Sequence, residues 1–164
     1  MTSAEQRIKE LGLALPTALA AAANYAPFVR TGRLVYVSGQ GPIRDGKVLV
    51  TGTVGADVSE DEAYEGARLA VINSLGVLRD CLGTLDAVSR IIKLTVWVKS
   101  APGFQRQHLV ANGASDLLVE IFGDRAMHAR SAVSTNELPL GIAVELEMIA
   151  ETFDEMPPLA YPSQ

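Results

Sequence analysis

A chain of 164 residues is long enough for one domain with a substantial core and too short for two ordinary ones. Hydrophobic residues make up 48% and charged residues 20%, which excludes a disordered chain, and the net charge of −5 argues against nucleic acid, whose binders carry a basic excess. Cys81 is the only cysteine, so no intramolecular disulfide, thiolate zinc cluster or C-x-x-C redox pair can form, and a reducing, cytoplasmic compartment is the expectation.

Ser3-Ala4-Glu5-Gln6 has the form of a capping box and predicts a short helix from Ala4 to Leu11, closed by Gly12. Arg7 and Lys9 precede an apolar run from Leu11 to Ala23 with the outline of a secretory signal. Glu5 and Glu10 dilute its basic part, Pro16 splits it, and it is too short to span a bilayer. We therefore expect no membrane segment, and read one domain: an N-terminal extension (1–23), a core (24–152) and a loosely ordered tail (153–164). Tyr25 to Arg30 and Leu34 to Ser38 read as two strands joined at Thr31-Gly32. Ser38-Gly39-Gln40-Gly41-Pro42 reads as a break in the second strand, and Asp45-Gly46 as a tight turn before Lys47 to Val50.

Ser59-Glu60-Asp61-Glu62 is a second capping box. Ala63, Ala67, Ala70, Val71, Ser74, Leu78 and Cys81 or Leu82 then recur at helical spacing up to Gly83. Ser89 to Lys99 alternates with period two, with Ile92, Leu94, Val96 and Val98 on one face and Ile91, Lys93, Thr95, Trp97 and Lys99 on the other. A second long helix is expected from Phe104 or His108 to Gly123. The strand Arg130 to Thr135, a turn from Asn136 to Gly141 and the strand Ile142 to Glu151 complete an α+β sheet with two long helices on one face. In the last strand Ile142, Val144, Leu146 and Met148 share the helix-covered face, leaving Ala143, Glu145, Glu147 and Ile149 opposite. A second face that is half apolar and half charged, with no helices left to cover it, predicts burial against another subunit.

Arg130 stays protonated and presents a flat fork of donors, so it can clamp a carboxylate but cannot act as a base. The alternative is a surface or interface salt bridge to Glu145 or Glu147. Those glutamates lie roughly 6.5 Å apart on one strand face; either could serve as a general acid or base, or pair with Lys93 or Lys99. Ser38-Gly39-Gln40-Gly41 offers close backbone approach to a ligand, or is a plain turn; it lacks the phosphate-loop pattern. His108 and His128 sit on different elements without partner ligands, so no metal site is expected. Cys81 reads as core filling. Asn112-Gly113-Ala114-Ser115 is unusual inside a helix, and marks either a site or a kink.

Y-V-S-G-Q-G-P at Tyr36 to Pro42, K-L-T-V-W-V-K at Lys93 to Lys99, and A-R-S-A-V with L-P and V-E-L-E between Ala129 and Glu147 resemble the YjgF/RidA family, also called YER057c-like or endoribonuclease L-PSP. The resemblance spans Tyr25 to Glu151. It implies a fold of the chorismate mutase-like (bacillus) type, a homotrimer with ligands between subunits, and hydrolysis of 2-imino acids or enamines to 2-keto acid and ammonia without any cofactor. In it Arg130 matches the arginine that holds the substrate carboxylate, Glu145 the glutamate near the reacting carbon, Ser38 and Gly39 the S-G-Q segment, and Asn112 the helix asparagine. Phe28 stands where the deaminases have a tyrosine, so that Tyr25 would have to supply the hydroxyl contact. Ala132 replaces a common cysteine, and extra residues fall around Gln105 to Val110. These departures mark a divergent branch, for which a non-catalytic trimeric binder of small carboxylated metabolites is the alternative reading.

Overall fold

The computed structural model describes residues 3–17 and 24–154. Helix α1 (Ala4–Glu10) begins where the Ser3 hydroxyl accepts the Gln6 N–H. Strands β1 (Phe28–Thr31) and β2 (Leu34–Gln40) form a hairpin turned at Gly32, whose φ of +55° suits a residue without Cβ. Two short strands, β3 (Ile43–Arg44) and β4 (Lys47–Val48), pair across Asp45-Gly46 as a separate ribbon. Helix α2 (Glu60–Leu82) opens on a reciprocal capping box between Ser59 and Glu62 and ends on Gly83 in the left-handed conformation. Then come β5 (Val88–Lys99), α3 (Gln107–Phe122), β6 (Ala129–Thr135) and β7 (Val144–Thr152).

The main sheet has the order β1-β2-β7-β5-β6, antiparallel except for the parallel pair β5 and β6, which α3 connects. Both long helices lie on one face of this mixed sheet, α2 over β2 and β7, α3 over β5 and β6. Between the layers sits the core, including Leu75, Leu78, Leu94, Leu117, Leu118, Leu146 and Met148, all fully buried. Every apolar position expected on the core side of α2 is buried, Cys81 and Leu82 both among them. The N-terminal segment is packed as well: Ala4 and Ile8 of α1 belong to the core, and Glu5 accepts the Leu85 N–H. The apolar run from Leu11 to Ala23 lies outside the described residues beyond residue 17, as does the expected tail beyond 154.

Three expectations are corrected. β2 does not break at Ser38: it runs on to Gln40, and Ser38 and Gly39 together oppose Glu147 in a β-bulge, which keeps pairing while bending the strand. In β5 the buried residue is Ile91, not Ile92, because a second irregularity between Ile91 and Lys93 shifts the alternation by one. Ala143 is fully buried rather than on the open face, since β7 starts only at Val144.

The face without helices carries Tyr36, Trp97, Val133, Glu145, Glu147 and Ile149. Tyr36 and Val133 are more than two-fifths exposed. No helix among the described residues is long and apolar enough to cross a membrane.

Candidate active site

Arg130 is the second residue of the edge strand β6 and pairs in register with Leu94 of β5, which is fully buried under the helices. Residues in register on neighbouring strands share a face, so Arg130 points toward α3. Its Nη1 donates to Asn112 Oδ1 and to Ser115 Oγ, each at 2.9 Å, and Nη2 donates to the His108 carbonyl at 3.1 Å. Asn112 and Ser115 are three residues apart on α3 and therefore lie on one side of that helix. Among the described residues no carboxylate lies within ion-pairing distance of Arg130. Within one chain no salt bridge from Arg130 to Glu145 or Glu147 forms, because both glutamates stand on the opposite face of the sheet.

The guanidinium is held by three neutral oxygens, and its charge is uncompensated. Nε–H and one Nη2–H have no acceptor among the described residues, so the guanidinium keeps two donors free. Asn112-Gly113-Ala114-Ser115 thus lies within a continuous helix and turns two polar side chains to Arg130. Gly113 serves packing: a Cβ there would stand 2.0 Å from the Tyr64 carbonyl oxygen of α2, so only glycine lets the two helices cross this closely.

Glu145 lies between Val144 and Leu146, which are fully buried on the helix side, so its carboxyl emerges on the open face, half-buried. Burial, and then the charge of Glu147, raise its pKa above the ordinary glutamate value. No ion pair with Lys93 or Lys99 forms; Lys93 donates to Ser131 Oγ at 2.9 Å and Lys99 pairs with Glu137 at 2.8 Å. The β2 bulge brings Gly39 against Glu145, where a Cβ would stand 2.1 Å from Oε1. Any side chain at position 39 would displace the carboxylate. Ser38 Oγ donates to the Ala26 carbonyl at 2.7 Å, so its hydroxyl anchors the start of β1. Asn73 of α2 donates to the carbonyls of Gly41 and Ile43 and fixes the chain just after the bulge.

Phe28 pairs in register with buried Val37 and packs against the core, on the helix side, and Tyr25 is 55% exposed ahead of β1. Neither meets Glu145 or Arg130 through an observed contact. Within one chain the site residues thus form two half-sites on opposite faces: Arg130 with Asn112, and Glu145 with Gly39 and Ser38. Sequence reasoning flagged the Asn112 to Ser115 segment but did not foresee the contacts made by Ser115, His128 and Asn73. The first two had a signal, since N-x-x-S on a helix and H-x-R on a strand each put both polar side chains on one side.

Residues 5–152 match the family described as "YjgF/chorismate mutase-like, putative endoribonuclease". The chain belongs to the YjgF/chorismate mutase-like family. Protein TCP17 of Trypanosoma cruzi is 41% identical over 145 residues, covering 88% of this chain and 91% of the relative. Among solved structures, Atu1372 of Agrobacterium tumefaciens, described as of unknown function, superposes with a TM-score of 0.85 at 45% identity, covering 91% of this chain and 92% of that one. A Shewanella oneidensis MR-1 protein carrying the same endoribonuclease description superposes with a TM-score of 0.88 at 34% identity, covering 91% and 99%. The YjgF fold of α2 and α3 on a mixed sheet is shared with these neighbours, as the motifs around Tyr36, Lys93 and Arg130 led us to expect.

Proposed function

We propose that this YjgF-family chain hydrolyses small 2-imino acids or their enamines to 2-keto acid and ammonia, at sites completed between copies of the chain in a homotrimer. The observation that carries this reading is the guanidinium of Arg130, fixed by neutral oxygens with two donors and a full charge left over. A carboxylate-bearing small molecule is the complement of such a group.

In this mechanism the substrate carboxylate docks on Nε–H and Nη2–H of Arg130. A protonated imine carbon is electrophilic, so positioning a water beside it supplies much of the acceleration. Glu145, supplied by a neighbouring copy, takes a proton from that water, and its raised pKa brings it closer to the working pH of a general base. Hydroxide adds to the C=N carbon to give a carbinolamine. Glu145 returns that proton to the carbinolamine nitrogen; the C–N bond then breaks, ammonia leaves, and the hydroxyl proton passes to the regenerated Glu145 carboxylate as the C=O bond forms. No cofactor enters this sequence, and the protein's residues only bind, orient and move protons.

The test couples the protein to a dehydratase that releases 2-imino acid, and follows keto-acid formation. Wild type is expected to speed release and Arg130→Ala to abolish the effect, with a loss of about a hundredfold in kcat/KM, the scale of removing a charge-assisted bidentate contact. Equal rates with wild type and Arg130→Ala would refute the enzyme reading. Binding of 2-oxobutanoate without turnover would instead indicate a non-catalytic metabolite binder, detectable as ligand-dependent thermal stabilisation. RNA cleavage is not favoured, because a chain of net charge −5 gives phosphates little electrostatic attraction.

A further inference from the structure

His128 stands just before β6, two residues ahead of Arg130, and extended backbone turns both side chains toward α3. Its Nδ1 faces the Ala126 carbonyl, and its Nε2 stands 3.1 Å from Ser115 Oγ. A carbonyl oxygen only accepts, so the ring hydrogen belongs on Nδ1 and Nε2 carries a lone pair. The Ser115 hydroxyl then donates to Nε2, while the same oxygen accepts from Arg130 Nη1 at 2.9 Å. The result is an unbroken chain from guanidinium to hydroxyl to imidazole to backbone carbonyl. Burial keeps the imidazole below the usual histidine pKa, the Ala126 bond opposes this, and the Arg130 charge adds to the lowering. The ring is therefore neutral at pH 7 and its acceptor is available.

A helical serine ordinarily turns its hydroxyl hydrogen back to the carbonyl one turn earlier. Here His128 gives that hydrogen another acceptor, and the oxygen lone pair is left facing Arg130. Asn112 holds the same Nη1 from the other side, so two fixed acceptors resist rotation of the guanidinium. We propose that His128, acting through Ser115, is the positioning residue that aims Arg130 for anion capture. The proposal rests on the reading of Arg130 as the carboxylate clamp, and adds a residue that touches neither substrate nor reacting atoms.

The test measures 2-oxobutanoate binding by titration calorimetry at pH 7.5, with thermal melts confirming that each variant is folded. His128→Ala is expected to raise Kd about threefold to tenfold, the scale of one hydrogen bond, and in turnover the loss appears in KM more than in kcat. His128→Gln, which keeps an amide oxygen to accept from Ser115, should recover most of the affinity. The double variant His128→Ala/Ser115→Ala should bind no more weakly than Ser115→Ala alone, because both act through one bond. Additive losses, an unchanged Kd in His128→Ala, or equal weakening by His128→Gln and His128→Ala would overturn the positioning role. Nitrogen NMR of the imidazole gives an independent reading: an Nε2–H tautomer in the free protein would also refute it. If Arg130→Ala leaves Kd unmoved, the clamp itself is wrong, and the positioning role falls with it.

Discussion

Glu145 illustrates at the scale of one residue how the role proposed for it conflicts with stability. Its folded pKa lies above the unfolded value of 4.5, through burial first and Glu147 second. As pH rises, the unfolded chain releases this proton before the folded one does. The contribution of Glu145 to stability is therefore fully present below about pH 4.5 and is lost as pH climbs through the folded pKa. Glu145→Gln removes that penalty, and its melting temperature at pH 7 should exceed wild type by about 1–3 °C, while at pH 4 the two should melt together. Keto-acid release should fall sharply in the same variant. Melts that differ equally at both pH values would show that the carboxyl's charge is not what costs the fold. Gly39 belongs to the same balance, since its missing Cβ is what leaves room for the Glu145 carboxyl beside the β2 bulge.

Among the elements, the crossing of α2 and α3 sets the Arg130 half-site. Gly113 meets the Tyr64 carbonyl, and Tyr64 Oη donates to Asp116 Oδ2 at 3.0 Å, so the crossing is fixed on both sides of Ser115. Gly113→Ala gains about 1 kcal/mol of helix propensity, but its Cβ has no space and pushes α3 from α2. We expect a net loss of about 1–3 kcal/mol from overpacking, read as a lower urea midpoint with unchanged slope, together with weaker 2-oxobutanoate binding as Asn112 and Ser115 shift away from Arg130. A variant more stable than wild type would contradict the close crossing. Elements whose signals are local were legible in the sequence: the Ser59 to Glu62 box starts α2, and the alternation of Val144, Leu146 and Met148 identifies the core face of β7. Bulges were not legible. Ser38-Gly39 has the composition of a turn, and Ile91 and Ile92 are chemically identical, so neither strand irregularity leaves a mark in residue type. Arg130 could be chosen from its motif, but its partners lie 18 and 15 residues upstream on α3. That pairing depends on how a helix packs on an edge strand, which no local pattern encodes.

For the whole molecule, the decisive fact is that the sheet separates Arg130 from Glu145. Arg130 shares a face with Leu94, Glu145 shares the other face with Trp97, and both faces belong to one five-stranded sheet. A site that uses both groups must take Arg130 from one copy and Glu145 from another, and the mixture of exposed Tyr36, Val133 and Glu147 with part-buried Ile149 offers the surface on which copies would meet. The consequence is complementation. Arg130→Ala and Glu145→Gln should each be inactive alone. If equal amounts are unfolded together and refolded, each interface draws its Arg130 and its Glu145 independently. About a quarter of the sites then receive both intact groups, and about a quarter of wild-type activity should return. Activity that stays at background in the mixture, while size-exclusion chromatography shows mixed assemblies, would mean that the two groups never act in one site. The geometry of a single chain leaves no third outcome for a mechanism that needs both.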